Sequence, residues 1–155
     1  MVRDKTPSVL VVTPALDRPG GVSQLYQVLR AHLGPKVEYF SLGARAEGED
    51  HIHTLWRLII DYCHFVKILL TGRHDIIHLN PSLLLNATVR DGVLLIISKL
   101  LGMRVLVFFH GWNVGFEKIL SKYFLRLFRL VYFKSDAILV LASEIRHKLV
   151  SMGYK

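Results

Sequence analysis

Residues 8–23, SVLVVTPALDRPGGVS, decide the fold. Val9, Leu10, Val11 and Val12 form an unbroken apolar, mostly β-branched run, which suits a strand buried on both faces in a parallel sheet. Thr13-Pro14 ends it, because proline cannot donate to a ladder and pushes the residue before it to extended geometry. Asp17-Arg18-Pro19-Gly20-Gly21 is a tight, glycine-rich turn. Residues 22–33 then read as a helix with Val22, Leu25, Val28, Leu29 and Leu33 on one face. Strand, glycine loop and helix start together make an anion site. Gly20 and Gly21 lack a Cβ, so a phosphate can approach the backbone, and the free N–H groups of the helix start point at it. Pro-Gly-Gly also serves as a plain strand-to-helix turn, so its reading depends on what else reaches the same edge of the sheet.

Outward from this unit the pattern repeats. Gly34-Pro35 breaks the helix, residues 37–42 read as a second strand, and GARAEGED at 43–50 reads as a polar loop. Residues 55–70 form the next helix. Arg57, Asp61, His64 and Lys67 lie on one side, and Trp56, Ile59, Ile60, Phe65, Val66, Leu69 and Leu70 fill most of the rest. Cys63 falls on the apolar side, as a core residue. DIIHL at 75–79 is a third strand, followed by the loop Asn80-Pro81-Ser82. A helix capped by Asn86 or Thr88 runs to Leu101 and ends at Gly102. Residues 105–109 are a fourth strand, followed by His110-Gly111-Trp112-Asn113. Residues 116–133 read as one long helix, 137–141 as a fifth strand, and 143–152 as a last helix capped by Ser143.

Strict alternation of strand and helix implies parallel strands joined by right-handed crossovers. The expected architecture is α/β, a doubly wound, Rossmann-like parallel sheet in the order 3-2-1-4-5. Ligands on such sheets sit outside the C-terminal strand ends. The loops with unusual chemistry fall there: Gly20-Gly21, Asn80-Pro81-Ser82 and His110-Gly111-Trp112. His110 directly follows a buried strand, where its ring can bond a sugar hydroxyl or a phosphate. Gly111 permits close approach, and Trp112 can stack on a sugar ring or plug the sheet edge.

Composition sets the class of partner. The chain has 155 residues, 52% of them hydrophobic, so it can bury a sizeable core. A net charge of +8 favours an acidic partner. Lys118, Lys122, Arg126 and Arg129 recur at helical spacing among aromatic and aliphatic residues, which is the pattern of an interfacial helix at an anionic membrane. It is equally the pattern of a helix packed on a sheet with a solvated basic edge. The opening MVRDKTP lacks the apolar run of a signal peptide, and no stretch reaches the ~18 uncharged apolar residues of a spanning helix. A single cysteine suits a reducing compartment. These features together imply a cytoplasmic chain, peripheral to the cytoplasmic membrane face. Asn86-Ala87-Thr88 matches a glycosylation pattern by composition alone. His74-Asp75-Ile76-Ile77-His78 lacks the glutamate of a zincin helix and reads as a strand. His51-Ile52-His53 lies in a polar loop with no carboxylate or cysteine close in sequence, so no metal is expected. Asp17, Asp91 and Glu144 fall near the ligand edge without pairing.

The segments VLVVTPALDRPGGVSQ, HDIIHLNPS, KLLGMRVLVFFHGWN and SDAILVLASEIRHKLVSMGYK, in this order, make the chain similar to the N-terminal domain of family four glycosyltransferases. These are retaining enzymes of GT-B architecture. The resemblance covers nearly the whole chain. It implies transfer of a sugar from a nucleotide-sugar to a glycan or lipid-linked acceptor, in a cleft between two Rossmann-like domains. Residues 1–155 would be the acceptor-side half. Gly20, Gly21 and Val22 would face the donor phosphates, and His110 would border the reacting sugar. Asn80, Ser82, Gly111, Trp112 and Asn113 are the acceptor-side candidates. The nucleotide-sugar is a co-substrate, and no cofactor or metal is implied. The family's C-terminal domain, with two glutamates seven residues apart and a nucleotide pocket, is missing from this stretch. The fragment alone is therefore expected to transfer no sugar.

Two other functions make different demands on the sequence. A nicotinamide-binding domain requires G-x-G-x-x-G after the first strand and an acid ending the second; here the residues are PGGVSQ and Phe40-Ser41-Leu42-Gly43. A non-catalytic membrane module would rest on the basic helix alone. Nucleic-acid binding has no recognisable module.

Overall fold

Five strands, β1 (Val9–Thr13), β2 (Val37–Ser41), β3 (Ile76–Leu79), β4 (Arg104–Phe109) and β5 (Ala137–Val140), alternate with helices in a computed structural model that describes residues 6–43 and 50–155. The helices are α1 (Gly21–Leu29), α2 (His51–Thr71), α3 (Leu85–Leu100), α4 (Val114–Ile119), α5 (Leu125–Tyr132) and α6 (Ser143–Ser151). The strands form one parallel sheet flanked by helices, consistent with a Rossmann-like fold. Most of the polar loop expected at 43–50 lies outside the described residues.

The strand order is β2-β1-β3-β4-β5, which corrects the expected 3-2-1-4-5. β3 sits between β1 and β4 instead of at the rim. The reason is burial. Ile77 and Leu79 of β3 are fully buried, whereas β2 carries Glu38 and Ser41 exposed. A strand with alternating polar residues tolerates an edge, and a short apolar one does not. The observed order is the second common doubly wound order.

The chain divides into two compact units, residues 1–77 and 78–155. In the first, Leu10, Val11 and Val12 are 4% exposed or less, confirming a strand buried on both faces. β1 pairs with β2 in parallel, with Val9 opposite Val37. Phe40 packs on Phe65 of α2, ring centroids 5.5 Å apart. α1 buries Ser23 and Tyr26, not the expected stripe: Val28 is exposed, and Leu33 lies beyond the helix. Tyr26 meets Tyr39 edge-on, while the Ser23 hydroxyl donates to the Ala15 carbonyl, so a polar residue occupies the inner face.

α2 differs more. It begins at His51, four residues before the expected start, because Asp50 caps it by accepting from the His53 N–H at 2.9 Å. The Asp50 carboxylate also lies 3.0 Å from His53 Nδ1, so the histidine pair does have an acidic neighbour. The helix turns Asp61, Phe65 and Leu69 inward. Arg57, on one side of the helix with Asp61 as expected, donates to the Gly43 carbonyl at 2.7 Å and lies 3.5 Å from the buried Asp61 carboxylate. Trp56, Ile59, Ile60 and Leu70 are exposed, and Cys63 with them, contrary to the core position expected for it. The buried Arg57–Asp61 ion pair thus replaces part of the apolar face.

α2 ends at Gly72. A Cβ there would lie 2.6 Å from the Ile68 carbonyl oxygen and 2.6 Å from the buried His74 ring, itself 3.3 Å from the Glu38 carboxylate. Neither neighbour yields freely, so Gly72→Ala is expected to lower stability by about 1–3 kcal/mol through overpacking. Urea unfolding of both proteins checks it, and an unchanged midpoint would show that the turn relaxes.

In the second unit Val105, Val107 and Phe109 of β4 are fully buried. Phe109 packs on Phe128 and Tyr132 at 6.1 and 5.6 Å, and the Tyr132 hydroxyl donates to the Thr88 carbonyl at 2.7 Å. α3 starts after Leu84 without a side-chain cap, so Asn86 and Thr88 lie inside it. α6 likewise starts after Ala142, not Ser143, with no side-chain cap. The expected long helix over 116–133 is two α-helices joined by a π-helical turn, Leu120–Phe124. Its buried residues Phe116, Leu120, Phe128 and Tyr132 are spaced four, eight and four apart. At ~100° per residue the eight-residue step would rotate the second pair by ~80°. One extra residue in a π turn cancels most of that rotation and keeps all four on one face.

Candidate functional site

β3 and β4 carry the site of the second unit, on the strand face opposite the deepest core. In β4, Val105, Val107 and Phe109 point one way, and Leu106 and Phe108 the other. His78 of β3 and His110 at the end of β4 share the face of Phe108. The Phe108 ring lies 6.2 Å from that of His78 and 4.0 Å from that of His110. Beyond the strand ends, His110 Nε2 is 2.8 Å from Asn80 Oδ1. An amide oxygen only accepts, so Nε2 carries the proton and donates, and Nδ1 is the accepting ring nitrogen. Burial pushes the His110 imidazole below its ordinary pKa. His78 is pushed down to about 4, by burial first and by the neighbouring His110 second. Both rings are therefore neutral near pH 7 and act as hydrogen-bonding groups, not charges.

The structure joins two of the predicted loops here: Asn80 is buried and meets His110, and Ser82, two residues after Asn80, is exposed. The Ser82 carbonyl accepts from the Leu84 N–H and the Thr88 hydroxyl. The space beside Gly111 is open, since a Cβ there would meet nothing within 4 Å. Trp112 is clamped: its indole N–H donates to Glu117 at 2.6 Å, and Lys148 binds the same carboxylate oxygen at 2.6 Å. The Lys148 ammonium also sits 5.7 Å from the Trp112 ring centre. Lys148, and then the Trp112 N–H, hold the Glu117 carboxyl below the usual range. Asn113 caps α4 by accepting from the Phe116 N–H at 2.9 Å. Trp112 and Asn113 thus fix the loop that carries His110. Asp91 is paired after all: it is buried and takes a two-pronged bond from Arg90 at 2.8 and 3.1 Å.

In the first unit, Gly20 precedes α1 with φ 157° and ψ 148°, and the helix start has neither a side-chain cap nor an acidic residue in its first turn. A Cβ on Gly21 would meet nothing within 4 Å, so the backbone there is open to approach. Val22 is half-buried. Gln27 anchors the preceding loop by donating from Nε2 to the Leu16 carbonyl. Lys118, Lys122, Arg126 and Arg129 are all exposed. Arg129 leaves the stripe, its guanidinium lying over Gly153, where a Cβ would come within 2.9 Å of Nη2.

The sequence reading puts His78 in a strand and gives it no place in the site. The two-residue periods His78–Asn80 and Phe108–His110 were the available signal for its place in the stack. Lys148 gave none, being 31 residues from Glu117. No helix among the described residues is long and apolar enough to cross a membrane. The chain matches no protein-family model and no curated protein.

Proposed function

We propose that this chain is the acceptor-side half of a retaining sugar transferase of GT-B architecture. A nucleotide-sugar is the donor and a glycan or lipid-linked molecule the acceptor. The observation that carries this reading is the His110–Asn80 pair at the C-terminal ends of β4 and β3, beside the open space at Gly111. A neutral imidazole and an amide offer directional donors and acceptors to sugar hydroxyls. Such groups favour a transition state when they are held in place beforehand. The uncapped start of α1 at Gly20, Gly21 and Val22 supplies N–H groups for the donor phosphates. A second domain would hold the nucleotide. The exposed Lys118, Lys122 and Arg126 favour work at the cytoplasmic membrane face.

Titrating the chain with nucleotide-sugars and with glycan or lipid-linked acceptors, followed by NMR, tests the reading. Acceptors are expected to shift the amide signals of Asn80 and His110, and donors those of Gly20–Val22. Transfer is expected only when a donor-binding domain is joined to the chain. Acceptor binding that leaves Asn80 and His110 unshifted would sink the proposal.

A further inference from the structure

The loop that carries His110 is held from two sides. On one side Asn80 accepts from the His110 ring at 2.8 Å. On the other stands a cluster to which the proposed transfer gives no role: Trp112, Glu117 of α4 and Lys148 of α6. The Trp112 indole N–H donates to Glu117 Oε2 at 2.6 Å, and the Lys148 ammonium donates to that same oxygen at 2.6 Å. Hydrogen bonds to an ionised carboxylate are stronger than neutral ones. The Lys148 and Glu117 side chains are 36% and 23% exposed, so water screens the pair only in part. Lys148 also lies 5.7 Å from the Trp112 ring centre. The indole is thus held at its N–H by the carboxylate and at its ring by the cation.

Gly111 makes this clamp matter for His110. It is exposed, and a Cβ there would meet nothing within 4 Å, so no packing restrains it. Without a side chain its backbone turns freely. Asn113 is exposed as well, and its side chain reaches the start of α4 by accepting from the Phe116 N–H. Of the three residues that follow His110, Trp112 alone is half-buried. Its anchor comes from a distant part of the chain: Lys148 is 31 residues from Glu117 and lies in the last turn of α6.

We infer that Glu117 and Lys148 are positioning residues for His110: the ion pair between α4 and α6 fixes Trp112, and Trp112 holds the His110 ring against Asn80. The effect on turnover rests on the transferase reading, whereas the effect on the loop belongs to the chain alone.

The test has two arms. The first is NMR of the isotope-labelled chain, in which the ring nitrogens of His110 report its tautomer and Trp112→Phe assigns the Trp112 indole signal. The wild type is expected to show one tautomer, with the proton on Nε2, and slow exchange of the Trp112 indole N–H. Lys148→Met should speed that exchange about tenfold and move the His110 ring signals toward the average of two tautomers. Lys148→Arg should keep both near the wild type. Glu117→Gln, which keeps an oxygen for the indole and drops the ionic bond, should give the same changes at smaller size. Glu117→Ala with Lys148→Met should change no more than Glu117→Ala alone, because the lysine acts through the carboxylate. The second arm is kinetics of the enzyme joined to a donor-binding domain. There Lys148→Met is expected to lower kcat about tenfold with KM little changed. Thermal unfolding checks that each variant stays folded. Unmoved His110 ring signals in a folded Lys148→Met or Glu117→Ala chain would overturn the inference and leave the clamp a brace between α4 and α6. Moved His110 signals with unchanged turnover would uphold the positioning and sink the transferase role of His110 instead.

Discussion

In a transferase completed by its donor-binding domain, His110→Ala is expected to lower turnover about 100-fold while the domain stays folded. The ring is half-buried, directly follows β4, and donates a hydrogen bond from its Nε2–H to Asn80 Oδ1 at 2.8 Å. That bond fixes the tautomer and leaves the ring oriented before any substrate arrives. Removing a placed hydrogen-bonding group of this kind acts on kcat more than on substrate binding. Asn80→Ala should give a smaller loss with the same sign, because the imidazole remains but turns. Steady-state kinetics and thermal unfolding on the same preparations separate the cases. Unchanged turnover in a folded His110→Ala enzyme would make His110 a packing residue.

The second large effect is on stability in acid. His78 is held at a pKa of about 4 against an ordinary 6.5, by burial and then by the nearby His110. Between those values the unfolded chain binds a proton that the folded chain refuses. This contribution is therefore fully present above pH 6.5 and is lost as pH falls toward 4. The loss amounts to about 3 kcal/mol, from 1.36 kcal/mol per pKa unit. Urea unfolding at steps from pH 7 to 4 should show the decline, and His78→Phe should flatten it. His110 is shifted the same way by burial, so part of the slope should remain in that variant. An identical slope with and without His78 would remove the assignment.

Much of this protein is written locally. The run Val9–Thr13, the break at Thr13-Pro14 and the glycines before α1 specify strand, turn and helix within a few residues of one another. The same holds for β4 and the His110 loop that follows it. Local signals of this kind gave five strands alternating with helices, and placed Asn80 and His110 at strand ends. Tertiary structure decided what local periodicity does not carry. β3 went to the middle of the sheet and β2 to its rim because the apolar Ile77 and Leu79 had to be covered and the polar Glu38 and Ser41 did not, a comparison between strands that no local pattern makes. Arg57 and Asp61 turned inward because the Gly43 carbonyl, 14 residues from Arg57, was there to receive the guanidinium. The four-eight-four spacing of Phe116, Leu120, Phe128 and Tyr132 conflicts with a regular helix, and packing against β4 and α3 resolved it with a π turn. His78 joined Phe108 and His110 only once β3 lay beside β4. Side-chain alternation is fixed by the chain's own geometry, whereas the partner strand is fixed by contacts about 30 residues away in sequence.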